Sequence, residues 1–335
     1  MSIAIHGDEA GSSQTTTTQH PAHAGKSDSG ICEACGPDAV LRLVIGLCQG
    51  AGVPCADARP IPWVSSENEI VLIPSGGVVA RVTDLRHLAR MRRELQVARF
   101  LDEAGIPAVQ PAPEPPSPQL TVLGDRVITW WTYVDGERPT LLQVAAALKQ
   151  LHRVQLPVAQ FVHLPRLDPC ATMRRRAQGA SSLPDADSAA YARYVAALAE
   201  RWEASSLARA PEALLHGDPH QDNAIVAADG RVLLLDFEDV ALGPALYDLR
   251  APIARVRMGN LPEPELAEFF TAYGPVPGGE LDLAADLKIA AMCGAYIGLC
   301  QKYPHIVEQT RLRIRSLTDP SLYPQWWTKW QAPDA

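Results

Sequence analysis

Leu214-Leu215-His216-Gly217-Asp218-Pro219-His220-Gln221-Asp222-Asn223-Ala224-Ile225-Val226 runs through an Asp229-Gly230 turn into Val232-Leu233-Leu234-Leu235-Asp236-Phe237-Glu238, and the reading of the whole chain turns on this stretch. An apolar strand end delivers His-Gly-Asp, a short loop delivers Asn223, and a hairpin returns with Asp236 at its tip. Three oxygen-bearing side chains, Asp218, Asn223 and Asp236, thereby converge although they span only 19 positions. Phosphoryl transfer needs such a set, because Mg²⁺ prefers hard oxygen ligands and keeps part of its water shell. A separate carboxylate must lie near the accepting hydroxyl to orient it and take its proton. The sequence holds its own control: His6-Gly7-Asp8 repeats the tripeptide, but position 13 is Ser where Asn is required and no strand surrounds it.

Upstream of this stretch the rhythm is that of a small sheet. Glu69-Ile70-Val71-Leu72-Ile73 and Val78-Val79-Ala80-Arg81-Val82 flank Pro74-Ser75-Gly76-Gly77 and read as a hairpin. Leu85 to Glu103 is a charged amphipathic helix stopped by Gly105 and Pro107. A Pro-rich surface connection, 111–118, leads to a second hairpin, Leu120-Thr121-Val122-Leu123 and Arg126 to Trp131. Before the sheet, apolar residues at Val40, Leu41, Val44, Ile45 and Cys48 predict a helix with Asp38 as its N-cap. Beyond Gly136 helical spacing dominates, in 141–151, 189–207 and 281–299, with one β interruption at 214–236. The fold class is therefore α+β in two lobes. Residues 1–30 read as a disordered leader, 31–135 as a strand-rich N-lobe and 136–335 as a larger helical C-lobe, with a crossover near Val134-Asp135-Gly136.

Composition narrows the functions. With 335 residues, 47% of them apolar and 20% charged, the chain buries a sizeable core, which excludes wholesale disorder and collagen-like structure. A net charge of −8 lacks the basic balance of a non-specific nucleic-acid binder. The longest uncharged apolar stretch, 289–300, is short of the roughly 20 residues a bilayer span needs, so no membrane partner is expected. Seven cysteines, an odd number, and no visible export signal predict reduced thiols in a cytoplasmic protein.

The pattern His-Gly-Asp-x-His-x-x-Asn, an apolar strand and then Asp resembles the aminoglycoside phosphotransferase family, relatives of the protein kinases. Gly243-Pro244-Ala245-Leu246-Tyr247-Asp248-Leu249 resembles that family's Gly-x-x-x-x-Asp-Leu continuation. The resemblance covers roughly 38–300 and is densest at 214–249. It implies a two-lobed protein-kinase-like fold, with Mg²⁺ and ATP (GTP not excluded) between the lobes. It makes Asp218 the catalytic base, Asn223 and Asp236 the metal ligands, and Asp248 a residue that holds the catalytic loop or caps the next helix. Arg81 would be the cation on the α/β-phosphates and Glu94, inside the following helix, its acidic partner. Protein kinases place lysine there, so the chain departs from their pattern, although arginine can fork across two phosphate oxygens. The alternatives are a solvated strand-edge arginine and a surface ion pair of Glu94 with Arg90 or a neighbouring arginine.

Ser65, Ser66 and Asn68, in the turn before the first hairpin, are candidate phosphate donors or an ordinary polar turn. Trp131 and Tyr133 belong to the strand against which adenine would lie. His220, Glu238 and Asp239 are candidate substrate contacts. The partners implied are a nucleoside triphosphate and a small hydroxylated molecule, taken by a monomer or a homodimer. The acceptor expected is an antibiotic, aminoglycoside-like or otherwise hydroxylated, which would make the enzyme a resistance factor. The alternatives are a housekeeping kinase of a metabolite resembling choline or homoserine, and a catalytically silent nucleotide-binding protein. Residues 259–287 carry six acids and no Lys or Arg, either a solvated face or an attractor for a polycationic substrate. Cys32 and Cys35 are either zinc ligands with Cys48 and Cys55 or free thiols. Trp326, Trp327 and Trp330 are either a C-terminal clasp or a wall of the acceptor pocket.

Overall fold

A computed structural model describes residues 37–61, 68–156, 164–275, 280–301 and 303–326. Five antiparallel strands form the first lobe: β1 (Arg59–Ile61), β2 (Asn68–Ile73), β3 (Val78–Asp84), β4 (Leu120–Leu123) and β5 (Arg126–Thr132), in the order β1-β2-β3-β5-β4. The two faces follow from strand alternation. Val71, Ile73, Val78, Ala80, Val82, Ile128 and Trp130 are buried together with Val40, Val44 and Cys48 of helix α1 (Pro37–Gly50). Ile70, Leu72, Val79 and Arg81 point the other way, into the cleft between the lobes. Asp38 lies inside the first turn of α1, as its second residue, rather than ahead of the helix as an N-cap. Helix α2 (Leu88–Glu103) packs on the cleft side, entered by a 3₁₀ turn at Leu85–His87 whose Arg86 amide donates to Asp84. The predicted single helix from Leu85 thus starts as a tighter turn.

Beyond the crossover come β6 (Gly136–Glu137), α3 (Leu141–Leu151), α4 (Ala171–Gln178), α5 (Asp185–Ala204), β7 (Glu212–Leu215), β8 (Ala224–Ala227), β9 (Val232–Leu234), β10 (Ala241–Pro244), α6 (Arg250–Arg257), α7 (Glu263–Tyr273), α8 (Leu281–Cys300) and α9 (Val307–Ser316). A reciprocal capping box of Thr140 and Gln143 starts α3. Gly136 pairs with Ala227 so closely that a Cβ would overlap the Val226 carbonyl, which is why the crossover strand needs glycine. The β interruption is two separate ladders. β6, β8 and β9 form one, whereas β7 pairs with β10, which sequence alone did not single out as a strand. Helix α5 begins four residues before the predicted 189 and ends at Ala204, with Asp185 and Asp187 in its first turn.

Helix α8 has the length and hydropathy of a bilayer span, longer than the uncharged stretch suggested because Asp282, Asp286 and Lys288 lie inside it. Its buried side chains, among them Leu283, Leu287, Ile289, Ala290, Cys293 and Ile297, belong instead to the main core of the second lobe, shared with Leu148, Tyr191, Val195 and Leu249.

Candidate active site

β7 ends at Leu215, and the chain then turns through a backbone that only glycine tolerates. Gly217 has φ 94°, and a Cβ there would overlap the backbone carbonyl of Asp239. The turn is pinned from below by Asp248, whose carboxylate accepts from the amides of His216 (2.6 Å) and Gly217 (2.9 Å) and meets His152 Nε2 at 3.0 Å. His152 Nδ1 in turn lies 2.8 Å from the Tyr273 hydroxyl. Arg250 braces the same turn, donating to Gly217 O while its guanidinium stacks 3.6 Å from the Tyr247 ring centroid. Of the two structural roles open to Asp248, the bonds are those of a loop anchor.

The three residues read from the deciding stretch meet through this scaffold. Asn223 Nδ2 donates to the backbone oxygen of Asp218 at 2.9 Å, and the Asn223 carbonyl accepts from Leu235 N at 2.9 Å. His216 Nε2 contacts Leu235 O at 2.7 Å, so the residue before Asp236 is held from both sides. Asp236 follows β9 by two positions rather than sitting at a hairpin tip, and it adopts a left-handed φ of 62°. That conformation is uncommon outside glycine, though Asp and Asn tolerate it, and it turns the side chain into the cleft.

From the N-lobe, Arg81 reaches across. Its Nη1 donates to Glu94 Oε2 at 2.7 Å, and its Nη2 lies 3.0 Å from Asp236 Oδ1 and 2.6 Å from Glu238 Oε2. Arg81 is 7% exposed and Glu94 1%, which excludes a solvated strand-edge arginine and a surface ion pair. Burial opposes the charge on Arg81, but the three carboxylates outweigh it and hold the guanidinium protonated. Burial, aided by Asp236 and Glu238, pushes Glu94 up to about 7 against the pull of Arg81. Asn68 Nδ2 also donates to Glu238 (3.0 Å), and Arg90 Nη1 lies 3.7 Å from it. Glu238, expected among the substrate contacts, is thus tied to Arg81.

On the opposite side of the loop, Asp218 Oδ1 accepts from Lys288 Nζ at 2.7 Å. Burial raises the Asp218 carboxyl, yet Lys288, His220 and Arg250 overcome it and hold the group well below the usual carboxylate range. His220 stands between two acids, 3.8 Å from Asp218 Oδ2 and 3.6 Å from Asp222 Oδ2. Asp222 is bound by Arg138 Nε at 2.6 Å. Asp239 is pushed up to about 6 by burial and by Glu238, Asp218 and Asp236.

The cleft continues along Ile70, Leu72, Val79, Trp131, Tyr133 and Leu235, an apolar slot with Asn68, Arg81, Glu94 and Asp236 at its polar end. Trp131 and Tyr133 line this slot, whereas Trp130 is turned into the core. The amides of Thr132 and Tyr133 are spent on Gln110 O and Gly77 O, both at 2.9 Å. Ser65, Ser66, Cys32, Cys35 and the tail from 327 lie outside the described residues; Cys48 and Cys55 are free thiols. Of the six acids, Asp282 and Asp286 are neutralised by Arg257 and Arg201, and Glu280 accepts from Ser206. Glu265 and Glu268 line a groove with Leu142, Gln221 and Arg255.

The donor set fits a hard divalent cation. Asn223 Oδ1 is buried and has no hydrogen-bond partner among the described residues, and the carboxylate of Asp236 belongs to the same loop scaffold. Among the described residues no cluster of three or more His, Cys, Asp or Glu is disposed for a metal.

A model described as the phosphotransferase enzyme family (APH) matches residues 57–284, more than half the chain. The chain belongs to this family. As a member it is a phosphotransferase that acts on hydroxyl groups of small molecules. No curated protein matches it in sequence. Among solved structures it is similar to amicoumacin kinase hAmiN in complex with AMP-PNP, Ca²⁺ and Ami (TM-score 0.63, 12% identity, 84% of this chain and 93% of that one). It is also similar to APH(2")-IIia with GDP and kanamycin (TM-score 0.62, 13% identity, 84% and 99%). A choline/ethanolamine kinase family protein from Mesorhizobium loti matches at TM-score 0.56 with 17% identity, over 84% and 97%. At these identities the likeness is one of fold, and the fold is kinase-like.

Three further residues at the site carry no local signal in the sequence. Lys288 stands one position beyond the acid-rich, cation-free segment 259–287. His152 closes α3 after Lys149-Gln150-Leu151, where a histidine is unremarkable without knowledge of Asp248. Arg250 directly follows the Asp-Leu pair, and its approach to Gly217 depends on tertiary packing.

Proposed function

We propose that this family member transfers the γ-phosphate of ATP to a hydroxyl of an antibiotic, and so acts as a resistance enzyme. In this reading the base lies in the apolar slot beside Trp131 and Tyr133, and Arg81, kept charged by Glu94, holds the α/β-phosphates. Asn223 Oδ1 and the Asp236 carboxylate would hold Mg²⁺, which when bound neutralises charge on the phosphates. Asp218 orients the acceptor hydroxyl for in-line attack and takes its proton as the new O–P bond forms and ADP leaves. Asp248, with His152 behind it, fixes the His216 and Gly217 amides, so that Asp218 meets the acceptor in one orientation.

The acceptor would approach past Gln221 along the groove of Leu142, Arg255, Glu265 and Glu268. One apolar, one cationic and two acidic side chains suit a polar, partly cationic molecule. A second reading, a metabolite kinase, is supported by the resemblance to the choline/ethanolamine kinase family protein, since a quaternary ammonium alcohol would suit the same acids.

The observation that supports the proposal is the loop scaffold that ties Asn223 to the Asp218 backbone and to Leu235, next to an Asp236 that lines the cleft and pairs with a buried Arg81. The test is a Mg-ATP-dependent mass screen of hydroxylated antibiotics and metabolites for the gain of one phosphate, with Asp236→Ala as control. Phosphorylation confined to antibiotics supports the resistance role, and a phosphorylated amino alcohol favours the second reading. Equal turnover by wild type and Asp236→Ala would refute the site.

A further inference from the structure

Helix α8 runs through the core of the second lobe, yet it spends one position beside buried Leu287 and Ile289 on a lysine. Lys288 is the single cation of that helix, and its ammonium sits 2.7 Å from Asp218 Oδ1 with the side chain 18% exposed. The chain otherwise avoids lysine, using five against 25 arginines. Packing alone does not call for a charge here. A half-buried ion pair adds little net stability over an apolar side chain of similar volume, because both groups must be desolvated.

The neighbouring cations are committed elsewhere. Arg81 is gripped by Glu94, Asp236 and Glu238 on the nucleotide side. Arg138 is paired with Asp222, and Arg250 is spent on Tyr247 O and Gly217 O. A phosphoryl group in transfer spreads its charge over three equatorial oxygens, and catalysis consists largely of neutralising that charge in place. A lysine, unlike a forked and fixed guanidinium, is a compact point charge with three donors on a flexible stem, so it can change partners without moving its helix.

Resting on the phosphotransferase reading above, we propose that Lys288 is the acceptor-side cation of the transfer. It is parked on Asp218 in the free protein and turns its donors to the migrating phosphoryl oxygens when ATP and acceptor fill the cleft. Bond making and breaking are unchanged by it. The acceptor oxygen bonds to phosphorus, the β–γ bridging oxygen leaves with its electron pair on ADP, and the proton goes to Asp218. Lys288 keeps all its protons and contributes only hydrogen bonds and charge.

The test uses the full chain with Lys288→Met and Lys288→Gln. It measures affinity for Mg-ADP, affinity for Mg-ADP with aluminium fluoride as a mimic of the phosphoryl in flight, and ATP turnover with water as acceptor. Both variants should bind Mg-ADP within about twofold of wild type, lose the aluminium fluoride complex by a factor of about 10²–10³, and lose kcat by a similar factor with KM for ATP little changed, the scale of one oxyanion donor. Gln keeps a hydrogen bond to Asp218 without the charge, so it would restore activity if Lys288 only positioned the carboxylate. Should Met not fold, Gln alone decides. Wild-type turnover and mimic affinity in Lys288→Gln would overturn the assignment to Lys288 while leaving the phosphotransferase reading intact. Failure of the wild type both to bind Mg-ADP and to turn over ATP would overturn both.

Discussion

Replacing Asp248 by Asn tests whether one buried carboxylate sets the geometry of the turn at His216-Gly217-Asp218. The group is 1% exposed and accepts from two successive amides, His216 N at 2.6 Å and Gly217 N at 2.9 Å, besides its contact with His152. Asn has nearly the same volume but a single acceptor oxygen, and its NH₂ would face an amide that can only donate. Hydrogen bonds to a charged group contribute about 1.5–3 kcal/mol each, and an unsatisfied buried amide costs about 1–3 kcal/mol, so the substitution should destabilise the fold by about 3 kcal/mol. At about 2–4 °C per kcal/mol for a lobe of this size, Tm should fall by roughly 6–12 °C. Turnover should fall further than stability alone explains, because a displacement of about 1 Å at a reacting group can cost about 10²-fold. Calorimetry and native-state hydrogen exchange at the His216 and Gly217 amides measure both effects. A variant melting within a degree or two of wild type, with those amides equally protected, would refute the anchoring role.

Gly217→Ala should lose soluble, folded protein or melt at least about 8 °C lower on circular dichroism, since it combines a positive φ of 94° with an overlap on Asp239 O. Asp218→Asn should lower kcat by about 10²–10⁴ in a coupled ADP-release assay while the KM for ATP stays near wild type. Glu94 has a folded pKa raised to about 7, so its contribution to stability is complete below its unfolded pKa and is lost as pH rises through 7. Glu94→Gln cannot ionise, and its Tm relative to nucleotide-free wild type should therefore climb between pH 5 and 8; a flat difference would contradict the burial argument. Asp248 runs the opposite way. Burial raises its carboxyl but His152, His216 and Arg250 hold it below the ordinary value, so its contribution persists above about pH 4 and fades as pH falls further.

Local periodicity carried much of the fold. The strand read at 78–82 lies inside β3, and the spacing in 141–151 matched α3 residue for residue. Features set by distant partners were not legible. The pairing of β7 with β10 depends on a return of the chain some 30 residues later, and the left-handed φ of Asp236 follows from the bonds that hold Leu235 between Asn223 and His216. At the site, the motif indicated which residue types meet but not how they pair. Glu238 next to Asp236 read as an acceptor contact because adjacency in sequence says nothing about Arg81 lying across the cleft. Lys288 was hidden for a related reason, since a lone lysine in an apolar helical run carries no local signal of the carboxylate opposite.

The bridge from Arg81 to Asp236 and Glu238 also bears on how the cleft fills. If the proposed function holds, an incoming triphosphate would have to take over a counter-ion that Asp236 and Glu238 already share, and would meet their negative charge on the way in. Uncomplexed ATP would face repulsion there, whereas ATP arriving with its divalent ion gives Asp236 a new cation in exchange for the arginine it releases. On the proposed function, the empty protein would discriminate by charge exchange, favouring the metal–nucleotide pair over the bare triphosphate.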